Sequence, residues 1–307
     1  MTYNRLAVEN YARRYWNRPC DDGKIETKLG PVLVSQKARQ FGAIGPDWEA
    51  EFVSAPNGAA DETLCFINNN AKDKKIETDL HSRHFEDCTH YLSRCLIHGG
   101  ISVPQTAWAP TMVANLQNRT DTKTLIERVP LAQASIVMET GMMKPGDVIA
   151  YWLTGLYHHM AVRVEADGIS CHTRSRYNRL PGGDTWDLYG VYLYTFIHFS
   201  ADDPVPSNQL LLANGWWAAE TPSARRFYYI FSDGRVRSSD HKPVSSGPPS
   251  FDPKHSGYWF DTDGTLLIIW RANGWVEEYK FDFVTSSYDG TRYCDELQDE
   301  LSLKRLG

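Results

Sequence analysis

Apolar residues Leu6, Val8, Tyr11, Ala12, Tyr15 and Trp16 recur at roughly helical spacing and predict an opening amphipathic helix over residues 3–16. Residues 17–82 lose that periodicity. They are polar and broken by Gly and Pro, and read as an elaborated insertion with a few short strands. A second helix is predicted from about Phe85 to His98, ended by Gly99-Gly100. Cys88, Tyr91, Leu92, Cys95, Leu96 and Gly99 share one face of it, as on a buried central helix. Residues 101–143 read as loop and further helix. From Lys144 the pattern turns to strands, at 148–152, 160–164, 169–173 and 191–199. Helices first and sheet afterwards predict an α+β fold for residues 1–200.

Residues 201–208 carry two prolines among polar groups and read as a linker. Beyond them, short aromatic runs alternate with Asp233-Gly234, Asp263-Gly264 and Asn273-Gly274, each a hairpin signal. The expectation is a small antiparallel β domain over 207–285, followed by a charged C-terminal helix or tail over 286–307.

Composition narrows the function classes. A length of 307 residues suits two domains, and 42% apolar with 23% charged residues excludes wholesale disorder. The formal net charge is −6 and no basic block stands out, so a nucleic-acid partner has no electrostatic footprint. No run reaches the roughly 18 apolar residues of a membrane span. The N-terminus lacks the apolar segment of a secretory signal, so the chain is expected to be cytoplasmic as made. Six scattered cysteines allow three disulfides, but without a signal sequence mostly reduced thiols are expected. They form no C-x-x-C pair, and His81, His84, His90 and His98 fit no structural zinc spacing, so neither metal nor cofactor is expected.

The candidate chemistry centres on Cys88. As the first residue of a core stripe it can be structural. At a helix start, however, unpaired N–H groups and the helix dipole stabilise a thiolate, and Asp87 before it is a plausible cap. His159 opens an alternating strand with Ala161 and Arg163 on its face. If residues 165–168 form the loop, Val164 faces Ile169 and His172 lies opposite Ala161, one diagonal step from His159. A three-residue loop would send His172 to the other face. Thiol, imidazole and orienting group together are what an activated cysteine nucleophile requires. His158 rivals His159, since neighbouring strand residues point to opposite faces. Asp87, Trp152 and His158 are the candidate substrate-binding residues.

The segment Asp87-Cys88-Thr89-His90-Tyr91-Leu92-Ser93-Arg94-Cys95-Leu96, closed by Gly99-Gly100, resembles the D-C-T-N-F-V-S-Q signature of an amidase domain family. Its members are papain-like cysteine hydrolases related to NlpC-type and CHAP cell-wall peptidases. The Tyr11–Trp16 helix, the Pro145-Gly146-Asp147-Val148 strand, and the His158–Val162 strand followed by Cys171-His172-Thr173 are similar in order. His90 and Arg94 depart from the usual Asn and Gln, at positions read as helix surface. The resemblance implies a papain-like domain with Cys88 as nucleophile, His159 as general base and His172 as orienting residue. It also implies that the Cys88 N–H forms part of an oxyanion hole.

The resulting expectation is a cysteine amidase or peptidase acting on peptide, foremost the cell-wall peptide of peptidoglycan, as a toxin-like effector exported without a signal sequence. Acyltransferase, transglutaminase or deamidase chemistry on a protein is the alternative, or a catalytically inactive binding protein. The β domain would position the enzyme on substrate or on a protein partner, an inhibitor or delivery machinery. Its aromatics, including Trp216, Trp217, Tyr228, Trp259, Trp270 and Trp275, read either as core or as a carbohydrate platform.

Overall fold

A computed structural model of the chain describes residues 3–27, 30–40, 47–54, 62–79, 87–165, 168–172, 176–177, 192–203, 214–221, 224–262, 265–282, 287–294 and 297–306. The chain divides into two units, 1–119 with 144–189, and 120–143 with 190–307.

The first unit opens with α1 (Arg5–Tyr15), which starts where the Asn4 side chain accepts the Ala7 amide at 3.0 Å and buries Val8, Tyr11 and Ala12. The stretch read as irregular contains β1 (Lys24–Ile25), β2 (Val32–Leu33) and α2 (Val34–Gln40). It continues as an antiparallel sheet of β3 (Trp48–Ser54), β4 (Glu62–Asn68) and β5 (Ala71–Asp79). Ile25, Phe52, Leu64 and Phe66 give this region a core of its own. Then follow α3 (Cys88–His98) and α4 (Ala109–Gln117). After β6 (Thr122–Val129) and α5 (Leu131–Glu139), which belong to the second unit, come β7 (Val148–Leu153), β8 (Leu156–Arg163), β9 (Ile169–Cys171) and β10 (Arg176–Tyr177). These four are antiparallel neighbours in chain order. Thr154 and Gly155, at φ 47° and 93°, make the two-residue turn between β7 and β8, whose twist matches that of the strands.

In the second unit β6 pairs with β11 (Leu193–Phe199). Eight further strands close into an antiparallel barrel. They are β12 (Gly215–Glu220), β13 (Arg225–Ile230), β14 (Arg235–Ser239), β15 (Ser256–Thr262), β16 (Thr265–Trp270), β17 (Val276–Asp282), β18 (Ser287–Cys294) and β19 (Leu297–Arg305). Each pairs with the next, and β12 pairs with β19 from Trp217 opposite Arg305 to Glu220 opposite Ser302. Eight strands leave room only for side chains inside, and Trp217, Tyr228, Trp259, Trp270 and Tyr279 fill it. These aromatics are core. Trp216 and Tyr229 pack in a separate buried cluster with Phe227, so most of the proposed carbohydrate platform is not exposed.

The α+β expectation, a papain-like nucleophile helix on a sheet with a small appended β domain, is therefore overturned. The chain is 46% strand against 22% helix, and a closed eight-stranded barrel is its main feature. Part of the reason lies in the C-terminal segment. Leu297 and Leu301 sit four apart and imitate a helix, but the operative period is two: Leu301 and Leu303 are buried and Glu300 and Lys304 exposed. What read as a helix or tail is the pair of strands that closes the barrel. Asp233-Gly234 and Asn273-Gly274 do form turns, with Gly234 and Gly274 at φ 88° and 68°. Asp263-Gly264 and most of the 201–208 linker lie outside the described residues. No described helix is long and apolar enough to cross a membrane.

The boundary near residue 200 also shifts. Arg271 in the β16–β17 turn donates to Glu127 Oε2 on β6 at 2.9 and 2.6 Å, and the Glu127 amide donates to the Arg271 carbonyl at 2.8 Å. Gly274 sits so near α5 that a Cβ there would come within 2.9 Å of Gln133 Cβ. A fragment ending at 200 would keep β6, α5 and β11 but lose these partners. Expressed alone, residues 1–200 are expected to be insoluble beside a soluble full-length chain. A monodisperse 1–200 fragment in size-exclusion chromatography would restore the boundary at 200.

Candidate active site

Helix α3 begins at Cys88, with the Tyr91 amide donating back to the Asp87 carbonyl at 2.8 Å. Its two terminal glycines serve different ends. A Cβ on Gly99 would strike Val8 Cγ2 at 2.5 Å, so Gly99 permits α1 to approach, while Gly100 takes the left-handed φ of 86° that ends the helix. The Tyr91 hydroxyl ties α3 to α1 through the Ala12 carbonyl at 3.2 Å, and it shares a 2.6 Å hydrogen bond with Ser170 Oγ on β9.

Cys88 is 5% exposed. Its sulfur lies 3.7 Å from Thr89 Oγ1. Burial pushes the thiol pKa up and the neighbouring Asp87 charge adds to this, against the opposing pull of the Met160 amide and Thr89. The resting group is a thiol. This corrects the expectation of a thiolate held by the helix start, since desolvation outweighs the N-terminal field.

His159, the residue before Met160, is half-buried and stands opposite Tyr151, ring centroids 5.3 Å apart. It is not among the thiol's hydrogen-bond partners. Tyr151 pairs with His159 and Trp152 with Tyr157, so His158 is the extra residue of a β-bulge. The bulge interrupts the simple alternation used to separate the two histidines. His158 is exposed and donates from Nε2 to the Leu153 carbonyl at 3.0 Å, and Trp152 is half-buried.

His172 is not where the orienting role needs it. Val162 stands opposite Ser170 and Arg163 opposite Ile169, one residue away from the register in which Val164 faces Ile169. His172 therefore continues the Ser170 face, which meets α3, whereas His159 is in phase with Ala161 and Arg163. The His172 ring stacks on Tyr91 with centroids 4.0 Å apart, and Phe52 meets it edge-on at 5.0 Å. Nδ1 bonds to Asp87 Oδ2 at 2.5 Å and Nε2 donates to the Tyr15 carbonyl at 2.8 Å. With both nitrogens engaged, it has none left to hold His159.

Asp87 is corrected twice. Its side chain makes no capping bond to α3, and at 0% exposure it cannot meet a substrate. Instead its carboxylate accepts hydrogen bonds from His172, from His90 Nδ1 at 2.8 Å and from the Glu26 amide at 2.8 Å. Burial alone would raise its pKa, but the bonds from His172 and His90 prevail and hold it below the ordinary carboxylate value. The far nitrogen of His90, Nε2, bonds to Asp22 Oδ2 at 3.0 Å. For His90, burial works downward, yet Asp87 and then Asp22 carry its pKa up to about 9.

Sequence reasoning missed the segment that completes this cluster. Cys20-Asp21-Asp22-Gly23 is a turn, its Gly23 amide donating to the Cys20 carbonyl at 2.9 Å, and it lies along α3. Arg94 grips both Asp21 oxygens at 2.9 Å, His98 bonds the same carboxylate at 2.9 Å, and the Tyr11 hydroxyl donates to it at 2.8 Å. His90, Arg94 and His98 stand four residues apart and form one stripe that receives the two aspartates. The signal was present: His90 and Arg94 are where the chain departs from the amidase signature. Read as helix surface, they are covered, with His90 only 1% exposed. His81 and His84 lie outside the described residues.

Compared with known proteins, the chain matches no family model, no curated protein and no solved structure. The likeness of residues 87–96 to the amidase signature rests on those residues.

Proposed function

We propose that the first unit is a cysteine-dependent hydrolase of amide bonds, with Cys88 as nucleophile and His159 as general base. The observation that carries this reading is the place of Cys88 as the first residue of α3, which packs against β8, the strand of His159. Because the thiol is protonated at rest, attack and deprotonation go together. The sulfur–carbon bond forms as the proton passes to His159, and that proton then leaves on the amine as the carbon–nitrogen bond breaks. Water, deprotonated by the same imidazole, attacks the thioester; as the carbon–sulfur bond breaks the acid leaves and the proton returns from the imidazolium to the Cys88 sulfur. His172 serves as a support for Asp87 and takes no part in the proton transfers.

The substrate class that goes with the amidase resemblance is a peptide amide, first of all the stem peptide of peptidoglycan. The test is incubation of the full chain with peptidoglycan and with a panel of peptide amides, followed by mass spectrometry. New amine and carboxylate termini, together with an electrophilic peptide trapped on Cys88 among the six cysteines, are the expected results. Products joined to an added amine would move the reading to acyl transfer. No cleavage and no adduct at Cys88 would overturn it. A second reading, binding without catalysis, is favoured by one observation: burial and Asp87 both oppose ionisation of the thiol.

A further inference from the structure

The donor set at the foot of α3 points to a metal site. Cys20, Asp87 and His90 are buried, and one ligand atom from each lies within 4.8 Å of the others. We propose that these three residues bind a zinc-class divalent cation through Cys20 Sγ, an Asp87 carboxylate oxygen and His90 Nδ1. The inference goes beyond the hydrolase reading and does not depend on it.

Three features carry it. The first is the chemistry of the set. One sulfur, one imidazole nitrogen and one carboxylate oxygen are the donors zinc takes, and the soft thiolate disfavours magnesium and calcium. The second is the support behind each hard or borderline donor. His90 presents Nδ1 to Asp87 Oδ1 at 2.8 Å while Nε2 bonds to Asp22 Oδ2 at 3.0 Å, the carboxylate–histidine arrangement that fixes ring and tautomer at metal sites. The second Asp87 oxygen is held by His172 Nδ1, so the ligating carboxylate is itself braced. The third is that Cys20 and Asp22 come from one turn, which places a ligand and a supporting carboxylate around the same imidazole. Tetrahedral zinc bonds of about 2.0–2.3 Å put neighbouring donors roughly 3.3–3.6 Å apart. The separations of up to 4.8 Å found here therefore have to close by about 1 Å at the widest pair when the ion binds. Three protein donors leave the fourth position to water.

Binding exchanges protons for the ion. The Cys20 thiol proton and the His90 Nδ1 proton pass to solvent as the metal–sulfur and metal–nitrogen bonds form. The ion replaces the His90–Asp87 hydrogen bond and pins the Cys20–Gly23 turn to the residue before Cys88.

The test uses the full chain, freed of metal by a chelator and titrated with cobalt(II), then with zinc, magnesium and calcium. One equivalent of cobalt with a thiolate-to-cobalt charge-transfer band is expected, displaced by zinc and untouched by magnesium or calcium. Cys20→Ser should remove the band, since oxygen donors do not produce it. Asp22→Asn keeps all three donors and should weaken affinity about 10–100-fold. Far-ultraviolet circular dichroism checks each variant, and Asp22→Asn decides if Cys20→Ser fails to fold. No stoichiometric binding by the wild type, a band that persists in Cys20→Ser, or full affinity in Asp22→Asn would overturn the proposal. None of these readouts is activity, so the hydrolase reading stands or falls separately.

Discussion

Cys88→Ala is expected to reduce amide cleavage by about four to six orders of magnitude, to the level left when a nucleophile of a coupled catalytic set is removed. The variant should still fold. The sulfur touches Thr89 Oγ1 but belongs to no charged network among the described residues, and the space it leaves is about the size of a methyl group. Cys95→Ala is the informative partner. Cys95 lies on the same stripe of α3, is fully buried, and has its thiol pKa raised by burial. Its removal should cost stability, of order 1 kcal/mol, and leave turnover per folded molecule unchanged. Rates corrected for folded fraction, measured for both variants, decide the matter. Near-normal turnover by Cys88→Ala would remove Cys88 as nucleophile, and an equal loss in both would make the stripe purely structural.

The largest effect on stability is expected at Asp87. Substitution by alanine strips His90, His172 and the Glu26 amide of a shared acceptor inside a buried region. Breaking a buried ionic network by removing one partner costs about 3–5 kcal/mol, chiefly because the remaining groups stay buried and unsatisfied. Denaturant unfolding of the metal-free protein should show this loss, and a change below about 1 kcal/mol would mean the network is not intact in solution.

The same network sets a pH window. The His90 pKa rises from 6.5 to about 9 on folding, so its contribution is complete below 6.5 and fades as the pH climbs through 9. The Asp87 value falls below 3.8 on folding, so its contribution is present above 3.8 and fades on acidification through the lowered value. Stability of the metal-free protein should therefore be greatest between about 4 and 6.5. Melting curves across pH should fall on the alkaline side in the wild type and flatten there in His90→Gln.

Local periodicity determined the helices. The stripe from Cys88 to Gly99 and the spacing of Leu6 to Trp16 predict elements that lie at Cys88–His98 and Arg5–Tyr15, because which face of a helix is apolar is decided within a few turns. The Asx-Gly pairs at 233–234 and 273–274 likewise marked turns, since positive φ is a property of single residues. Barrel closure was not legible. Pairing β12 with β19 joins residues some eighty positions apart, and charged outer positions on β19 disguised an alternating strand as a tail. The candidate site divides in the same way. Cys88 at a helix start could be read from the chain, but the fate of His172 depended on a single residue of register between β8 and β9. The assembly of Cys20 and Asp22 with Asp87 and His90 was decided by tertiary structure alone. A buried carboxylate takes whichever donors the fold brings to it, and those donors come from the segment after β1, a helix and a strand end far apart in the chain.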